Sequence, residues 1–365
     1  MLQRTRAVIA AGAVLLVISG CTAPGAAPEA PITVTSDPAV PLAELDFLDD
    51  PRAYVGESTA VLADAAVPEP AEAPEQTLPA TVVSHDLDGD TRVTVTSTER
   101  ILAMDISGSI AATVFGLGLG DNVVGRDVST TFAQAAELPV VTSSGHTVNS
   151  EAILALRPTV LITDGTIGPI DVVLQLRDAG IPVVFVDTEP SVAGVGELAR
   201  QVAAALGAPQ AGEVLAQQLV SGIDSKIAEI AGLVSSASPL RMMFLYLRGS
   251  SGVYYLFGKE SCADVLITSL GGIDVAAEIG LDGMRPMTDE AMVAANPELI
   301  LVMTDGIASV GGVDGLLESK PAIALTTAGQ NRRFVDMADG EILSFGPRTA
   351  NVLDALARAV YAPGQ

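Results

Sequence analysis

Two α/β lobes joined by a long helix, with a ligand cleft between them, is the architecture that the sequence predicts. Three observations predict it. After residue 100, short aliphatic runs alternate with helical patterns, which is the texture of parallel sheets covered on both faces. Ser191 to Val234 is instead helically patterned through most of its length, with weak points at Gly207, Pro209 and Gly222. The parts on either side of it repeat each other. Ser150-Glu151-Ala152-Ile153-Leu154-Ala155-Leu156-Arg157-Pro158 aligns with Asp289-Glu290-Ala291-Met292-Val293-Ala294-Ala295-Asn296-Pro297 at an offset of 139, and each is followed by an aliphatic run and Thr-Asp-Gly. Each copy reads as N-cap, short helix, Pro break, strand and turn. The loops before the two short helices are then expected to face each other across the cleft.

Composition sets the outer limits. The 365 residues carry 44 acidic and 19 basic side chains, a formal charge of −25. That charge argues against nucleic acid and against charge-driven binding to anionic lipid. Hydrophobic residues make up 49% and charged residues 17%, so most of the chain can fold. Cys occurs only at 21 and 262 and His only at 85 and 146, which excludes Cys-based zinc or iron–sulfur sites and multi-His metal sites. Trp is absent, so an aromatic ligand cage must use Tyr, Phe and Met.

The N-terminus supplies an address. Arg4 and Arg6 precede an apolar run, Ala7 to Ile18, too short to span a bilayer core as a helix. It ends in Val17-Ile18-Ser19-Gly20-Cys21, which resembles a bacterial lipobox with Cys21 as the lipidated residue. Residues 1–20 thus read as a signal peptide, and cleavage leaves a chain of 17 − 44 = −27. Cys262 is then left unpaired, as a small buried hydrophobe. Residues 21–79, rich in Ala, Pro and Glu, read as a flexible tether, although Pro41 to Leu62 is apolar enough to pack.

The remaining elements follow in order. Thr81–Val83 and Val93–Val95 flank Asp88-Gly89-Asp90, a hairpin with His85 at its surface. Strands are expected at Ile101–Met104, Val123–Val124, Val160–Thr163, Val183–Val186, Met242–Leu247, Leu299–Met303 and Phe334–Asp336. Helices are expected at Ser109–Gly116, Ser150–Leu156, Ile170–Ala179 and Ala350–Val360. The divisions are residues 80–190 for the N-terminal lobe, 191–235 for the inter-lobe helix and 236–365 for the C-terminal lobe.

No catalytic motif is present. There is no nucleophile elbow, Walker A loop or H-E-x-x-H. Gly116, Gly118, Gly120, Gly271 and Gly272 follow helical segments and read as caps and turns. Two places carry chemistry. His146 lies just before the first repeat helix, with Arg285 as its counterpart at the offset of 139, and a neutral imidazole is an available metal ligand. Tyr246 and Arg248 lie two apart on a strand and point the same way. A guanidinium bonded to the phenol oxygen favours phenolate, a hard ligand for ferric iron and a known axial haem ligand. Tyr254 and Tyr255 lie close by as rival ligands.

From about residue 77 onward the chain resembles the haem-binding substrate-binding lipoproteins of actinobacterial ABC importers, the HmuT type. The resemblance is carried by Arg100 to Ser109, Val124 to Thr130, Gly145 to Glu151, Tyr246-Leu247-Arg248-Gly249 and Gly346-Pro347-Arg348. It implies two Rossmann-like lobes of a class III substrate-binding protein, with ferric haem b carried in the cleft as cargo. His146 and Tyr246 would be its axial ligands, with Arg248 as the partner of Tyr246. It also implies that Glu151 and Glu290 dock onto a permease that works with its own ATPase. The protein would be a monomer at the outer face of the membrane, held there only by its lipid and loaded where needed by upstream haem-delivering proteins. Two propionates need donors, for which Arg126, Arg285 and Arg348 are candidates, with hydroxyls from Ser107, Ser109 and Thr130. Met284 and Met287 are candidates to pack on the porphyrin. Three competitors remain: a siderophore or cobalamin receptor of the same fold, a haem peroxidase or catalase-like enzyme, and an adhesin or scaffold. Two axial ligands would close the open position that peroxide chemistry needs.

Overall fold

The computed structural model describes residues 40–143, 146–249, 252–259 and 261–364; Cys21 and the leader lie outside them. Pro41 to Leu62 packs, as its apolar content allows, and residues 63–79 are laid on the protein as well rather than forming a free tether. Leu42 is buried in the C-terminal core, and β1 (Ser58–Ala60) adds a parallel strand beside Phe334–Met337. The chain then crosses to the N-terminal lobe, where Val67 is buried and Gln76 donates to Thr98 Oγ1 and the Leu206 carbonyl. Its Ala/Pro/Glu composition hides this, because only a few apolar anchors hold it and its remaining residues stay at the surface.

β2 (Ala80–Asp86) and β3 (Gly89–Val95) form the expected hairpin. The N-terminal lobe follows: β4 (Ile101–Met104), α1 (Ser109–Gly116), β5 (Val123–Gly125), α2 (Ser150–Leu156), β6 (Val160–Thr163), α3 (Ile170–Asp178) and β7 (Val183–Phe185). Its sheet is parallel, in the order β5-β4-β6-β7. Alternation along the strands divides the core in two. Ile101, Ala103, Val160 and Ile162 pack with α1, while Leu102, Met104, Leu161 and Val183 pack with α2 and α3.

The connector is two helices rather than one, α4 (Val192–Ala205) and α5 (Pro209–Leu233). Gly207 at φ +71 turns the chain, and Pro209 starts α5 where its missing N–H costs nothing. The 25 residues of α5 span about 37 Å, enough to run along both lobes. Its Leu215 and Ala216 are buried with the N-terminal core, its Ile223 and Ile230 with the C-terminal core. One stiff rod thereby joins both lobes.

The C-terminal lobe contains β8 (Arg241–Arg248), β9 (Val253–Phe257), α6 (Ala263–Ser269), β10 (Ile273–Asp274), α7 (Val275–Glu278), β11 (Met284–Pro286), α8 (Asp289–Ala295), β12 (Leu299–Met303), α9 (Thr304–Ala308), α10 (Gly312–Ser319), α11 (Pro321–Ala324), α12 (Thr327–Gln330), β13 (Phe334–Met337), α13 (Asp339–Ile342) and α14 (Thr349–Tyr361). Its sheet runs β1-β13-β12-β8-β9-β11, with β10 also on β8. β9 is antiparallel to both its neighbours, β8 and β11, so this sheet is mixed where an all-parallel one was expected. The short link from Arg248 to Val253 allows only a hairpin.

The internal repeat holds in three dimensions. Asn149 and Thr288, 139 apart, cap α2 and α8 by accepting from Ala152 N and Ala291 N. Arg157 and Asn296 end the two helices in the left-handed region, each just before a Pro. The symmetry breaks at Thr-Asp-Gly, which runs from the end of β6 into a bend at Gly165 in the first copy and starts α9 at 304–306 in the second.

Candidate functional site

A cavity of about 1020 Å³ lies between the lobes, at the upper end of the range for small-molecule sites. His146 lines it from the N-terminal lobe, and Tyr246 and Arg248 line it from the other. His146 sits in the left-handed region at φ +61, its Nδ1 3.4 Å from Ser129 Oγ. Burial, and then the Arg248 guanidinium from the other lobe, hold its imidazole below the ordinary value. At neutral pH it is therefore a neutral nitrogen donor, the form that binds metal.

Tyr246 and Tyr255 are cross-strand partners on β8 and β9, and both face the cavity. The Tyr246 ring stacks on Phe257 at 5.8 Å and lies under the Arg248 guanidinium at 4.6 Å. Arg248 was expected to bond the phenol oxygen. It instead lies over the ring face, with Nη2 2.6 Å from Asp339 Oδ2 and Nη1 donating to the Leu247 carbonyl at 3.0 Å. Tyr254, one residue along, points to the opposite side, where Lys320 Nζ sits 3.9 Å from its ring centroid. Strand alternation removes it as a rival, while Tyr255 stays in the wall.

The expected propionate donors fare less well. Ser107 and Ser109 line the cavity, their hydroxyls 2.7 Å apart and Ser107 also bonded to Asp105. Arg126 donates to the carbonyls of Asp127 and Thr130 and does not line the cavity. The Thr130 hydroxyl is turned inward to Asp127. Arg348 is 1% exposed, donates to the Gly340 carbonyl at 3.0 Å and covers Phe132. Arg285 is exposed on β11 and faces away from the cavity, whereas Met284 beside it lines the wall. Met287 packs against the core on the other side of the sheet with Tyr254. Local carbonyls, a carboxylate or core contacts claim Arg126, Thr130, Arg348 and Met287, which spacing along the chain does not reveal.

Sequence reasoning missed the acidic side of the cavity. Asp164, Glu189, Asp305, Asp339 and Glu341 line it, against His146 and Arg248. Asp164 and Asp305 are the aspartates of the two Thr-Asp-Gly repeats, so the repeat carried the signal. Cys262, expected as a buried hydrophobe, is part of the cavity wall with its thiol pushed up to about 12 by burial. Glu151 and Glu290 lie in the exposed first turns of α2 and α8, outside the cavity.

Where the lobes meet, Gly340 approaches the N-terminal lobe. A Cβ there would lie 2.6 Å from Thr131 Oγ1 and 3.0 Å from the Ser129 carbonyl. A valine at 340 should therefore wedge the cleft at a cost of about 1–3 kcal/mol. Small-angle scattering should show a larger radius of gyration, with ligand affinity lowered; an unchanged radius would mean that the contact yields elsewhere.

Behind Ser107 and Ser109, Asp105 and Asp127 are both fully buried. Asp105 accepts from Ser109 N and Ile110 N at the start of α1, and Asp127 accepts from the Asp105, Ser129 and Thr130 backbones. Burial, reinforced for Asp105 by Asp164 and Asp127, raises both above the ordinary carboxylate range. A raised folded value means that the folded state holds protons more tightly than the unfolded one. Their contribution to stability is thus full below the unfolded carboxylate range and falls as pH rises through the raised values. Denaturant titrations between pH 4 and 8 should show this decline, and Asp105→Asn should flatten it.

The chain matches the periplasmic binding protein family over residues 106–339. It is 40% identical to the haem-binding protein HmuT, with a TM-score of 0.79, covering 86% of this chain and 99% of that one. HmuT has also been solved as alanine variants of a histidine, of a tyrosine and of an arginine two positions after that tyrosine. The periplasmic haem-binding protein RhuT from Roseiflexus sp. RS-1 is 37% identical with a TM-score of 0.64, covering 74% of this chain and all of that one. An uncharacterized ABC transporter substrate-binding lipoprotein of Bacillus subtilis is 28% identical over 68% of this chain and 76% of its own length. With its two lobes, rod-like connector and inter-lobe cavity, the chain belongs to the periplasmic binding protein family, in its class III fold.

Proposed function

We propose that this protein is a haem receptor that delivers its cargo to an ABC importer. The observation that carries the reading is the meeting of His146 and Tyr246 on opposite walls of one large cavity, with the charge of Arg248 reaching the imidazole. A neutral imidazole and a phenol are donors that a ferric porphyrin can take on its two faces. Tyr255, Phe257, Met284 and Met303 give the porphyrin an apolar bed. The likeness to HmuT supports the same ligand. With Arg126, Arg285 and Arg348 turned elsewhere and five carboxylates on the wall, the propionates of ferric haem b would meet Ser107 and Ser109 or point to solvent.

The cargo is bound and released without chemical change, so the protein acts as a carrier. Cys21 would anchor it at the extracytoplasmic face through lipid, and Glu151 and Glu290 would meet the permease, which works with its ATPase. A second reading, cobalamin, is favoured by a vitamin B12-binding protein of Salmonella choleraesuis that is 25% identical over 53% of this chain.

A titration of the purified chain with haemin, and in parallel with cyanocobalamin, separates the two. A one-to-one six-coordinate ferric spectrum that changes with His146→Ala and with Tyr246→Ala supports the haem reading. Binding of cobalamin alone overturns it.

A further inference from the structure

Among the described residues the chain crosses between the lobes twice. α5 carries it from the N-terminal core to the C-terminal core. Residues 62–67 carry it the other way: Leu62 is buried in the C-terminal core and Val67 in the N-terminal one. That stretch reaches about 17 Å at most, so little slack separates the two anchors. Ala63 and Asp64 between them are exposed, and Asp64 Oδ1 accepts from Ala66 N at 2.8 Å.

Both sides of this crossing are fastened by several contacts. On the C-terminal lobe β1 pairs along β13, Thr59 Oγ1 donates to Asp336 Oδ1 at 2.8 Å, and Ser58 Oγ donates to the Ala359 carbonyl at 2.7 Å. The guanidinium of Arg333, 1% exposed, donates to Ser58 Oγ at 3.2 Å and stacks on Tyr54 at 4.5 Å. On the N-terminal lobe Gln134 clasps Val67 twice, Oε1 accepting from its N–H at 3.1 Å and Nε2 donating to its carbonyl at 2.7 Å. Further on, Gln76 donates to the Leu206 carbonyl at 2.8 Å and Thr77 N to the Gly207 carbonyl at 2.7 Å, at the turn where α4 meets α5. The segment thus closes a ring with α5, from the head of the rod across to the C-terminal sheet. Gln134 also follows directly on the loop whose Ser129 and Thr131 line the cavity and meet Gly340 of the other lobe.

We propose that residues 62–67 are a strap that, together with α5, confines the lobes to rotation about the line through the two crossings, and so sets how fast cargo leaves the cavity. The part about cargo rests on the haem reading above. A single crossing leaves one lobe free to swing and twist against the other. Two crossings leave only the hinge through both, because sliding one lobe over the other would tear Val67 from Gln134 or β1 from β13. Since Gln134 adjoins the cavity-lining loop, tension in the strap acts on the wall at Ser129 and Thr131. Cutting the strap returns conformational freedom to the open arrangements and shifts the population toward them.

The test inserts a specific protease site between the exposed Ala63 and Asp64 and cuts it after folding, so that one molecule is compared intact and nicked. A second variant, Gln134→Leu, frees Val67 without cutting the chain. The readouts are the radius of gyration of the ligand-free protein by small-angle scattering and the rate of haemin loss to excess apomyoglobin. Nicking should enlarge the radius and speed haemin loss by about tenfold, the scale of an ordinary coupling between two sites. The inserted but uncut chain, which has slack, should fall between wild type and the nicked form, and Gln134→Leu should move both readouts the same way by less. An unchanged radius after nicking, or haemin loss at the uncut rate, overturns the proposal. The scattering arm uses no ligand. If the wild-type protein binds no haemin, the haem reading fails, while the radius still decides whether the strap confines the lobes.

Discussion

Tyr246→Phe should abolish the phenolate-to-iron charge-transfer band and weaken haemin binding by at least about 100-fold. Loss of an outer-shell partner alone commonly costs metal sites 10–100-fold, and here a ligand atom is removed. The substitution is narrow. It keeps the ring that stacks on Phe257 and that lies under Arg248, so the wall of the cavity retains its shape. Folding stability should stay within about 0.5 kcal/mol, since no hydrogen bond to the phenol oxygen is lost with it. Tyr255→Phe is the matched control, because Tyr255 faces the same cavity from the neighbouring strand. If Tyr255→Phe loses the band and Tyr246→Phe keeps it, the ligand is Tyr255. His146→Ala should cost less than Tyr246→Phe. A neutral imidazole gives no charge compensation to ferric iron, whereas a phenolate cancels its net charge.

Where the sequence could be read, a short-range pattern was enough. The strands over 101–104, 160–163 and 299–303 carry apolar runs broken only by Thr163, and the structure buries all of their residues. The repeat located the starts of both short helices, at Ser150 and Asp289, because a cap, a Pro break and a strand recur in fixed order; the capping side chains are those of Asn149 and Thr288, one residue earlier. Tyr246 and Arg248 were legible as neighbours because a strand puts alternate residues on one face. What escaped depends on tertiary context. Arg126 and Arg348 look like free cations in the sequence, but each sits beside backbone carbonyls contributed by a local loop. Asp339 lies 91 residues from Arg248, and nothing local marks it as the guanidinium's partner. The segment over 40–79 is legible only in its first half, where Pro41 to Leu62 is apolar enough to pack. Its overall composition is that of a tether, and a handful of anchors, Leu42, Ser58, Val67 and Gln76, suffices to lay it across both lobes.

The second large effect should appear in transport rather than in binding. Glu151→Lys combined with Glu290→Lys should reduce haem uptake through the cognate permease by at least about 100-fold and leave haemin affinity unchanged. The two glutamates stand at equivalent places in the repeat, one per lobe, in exposed first turns outside the ligand cavity. Neither is needed to start its helix, because Asn149 and Thr288 already cap α2 and α8. Losing each acidic residue from the first turn should cost about 0.3–1 kcal/mol of stability. Three residues on, and so on the same helix face, Leu154 and Val293 are 45% and 48% exposed, again one per lobe. Each lobe thus offers a carboxylate beside an aliphatic side chain, a pair suited to a basic partner with an apolar rim. Placing a lysine against such a partner sets like charges together, at a cost of several kcal/mol in a desolvated contact. Single reversals should each retain part of the transport, because one lobe would still dock. Uptake by the double variant at the wild-type rate would place the permease contact elsewhere on the two lobes.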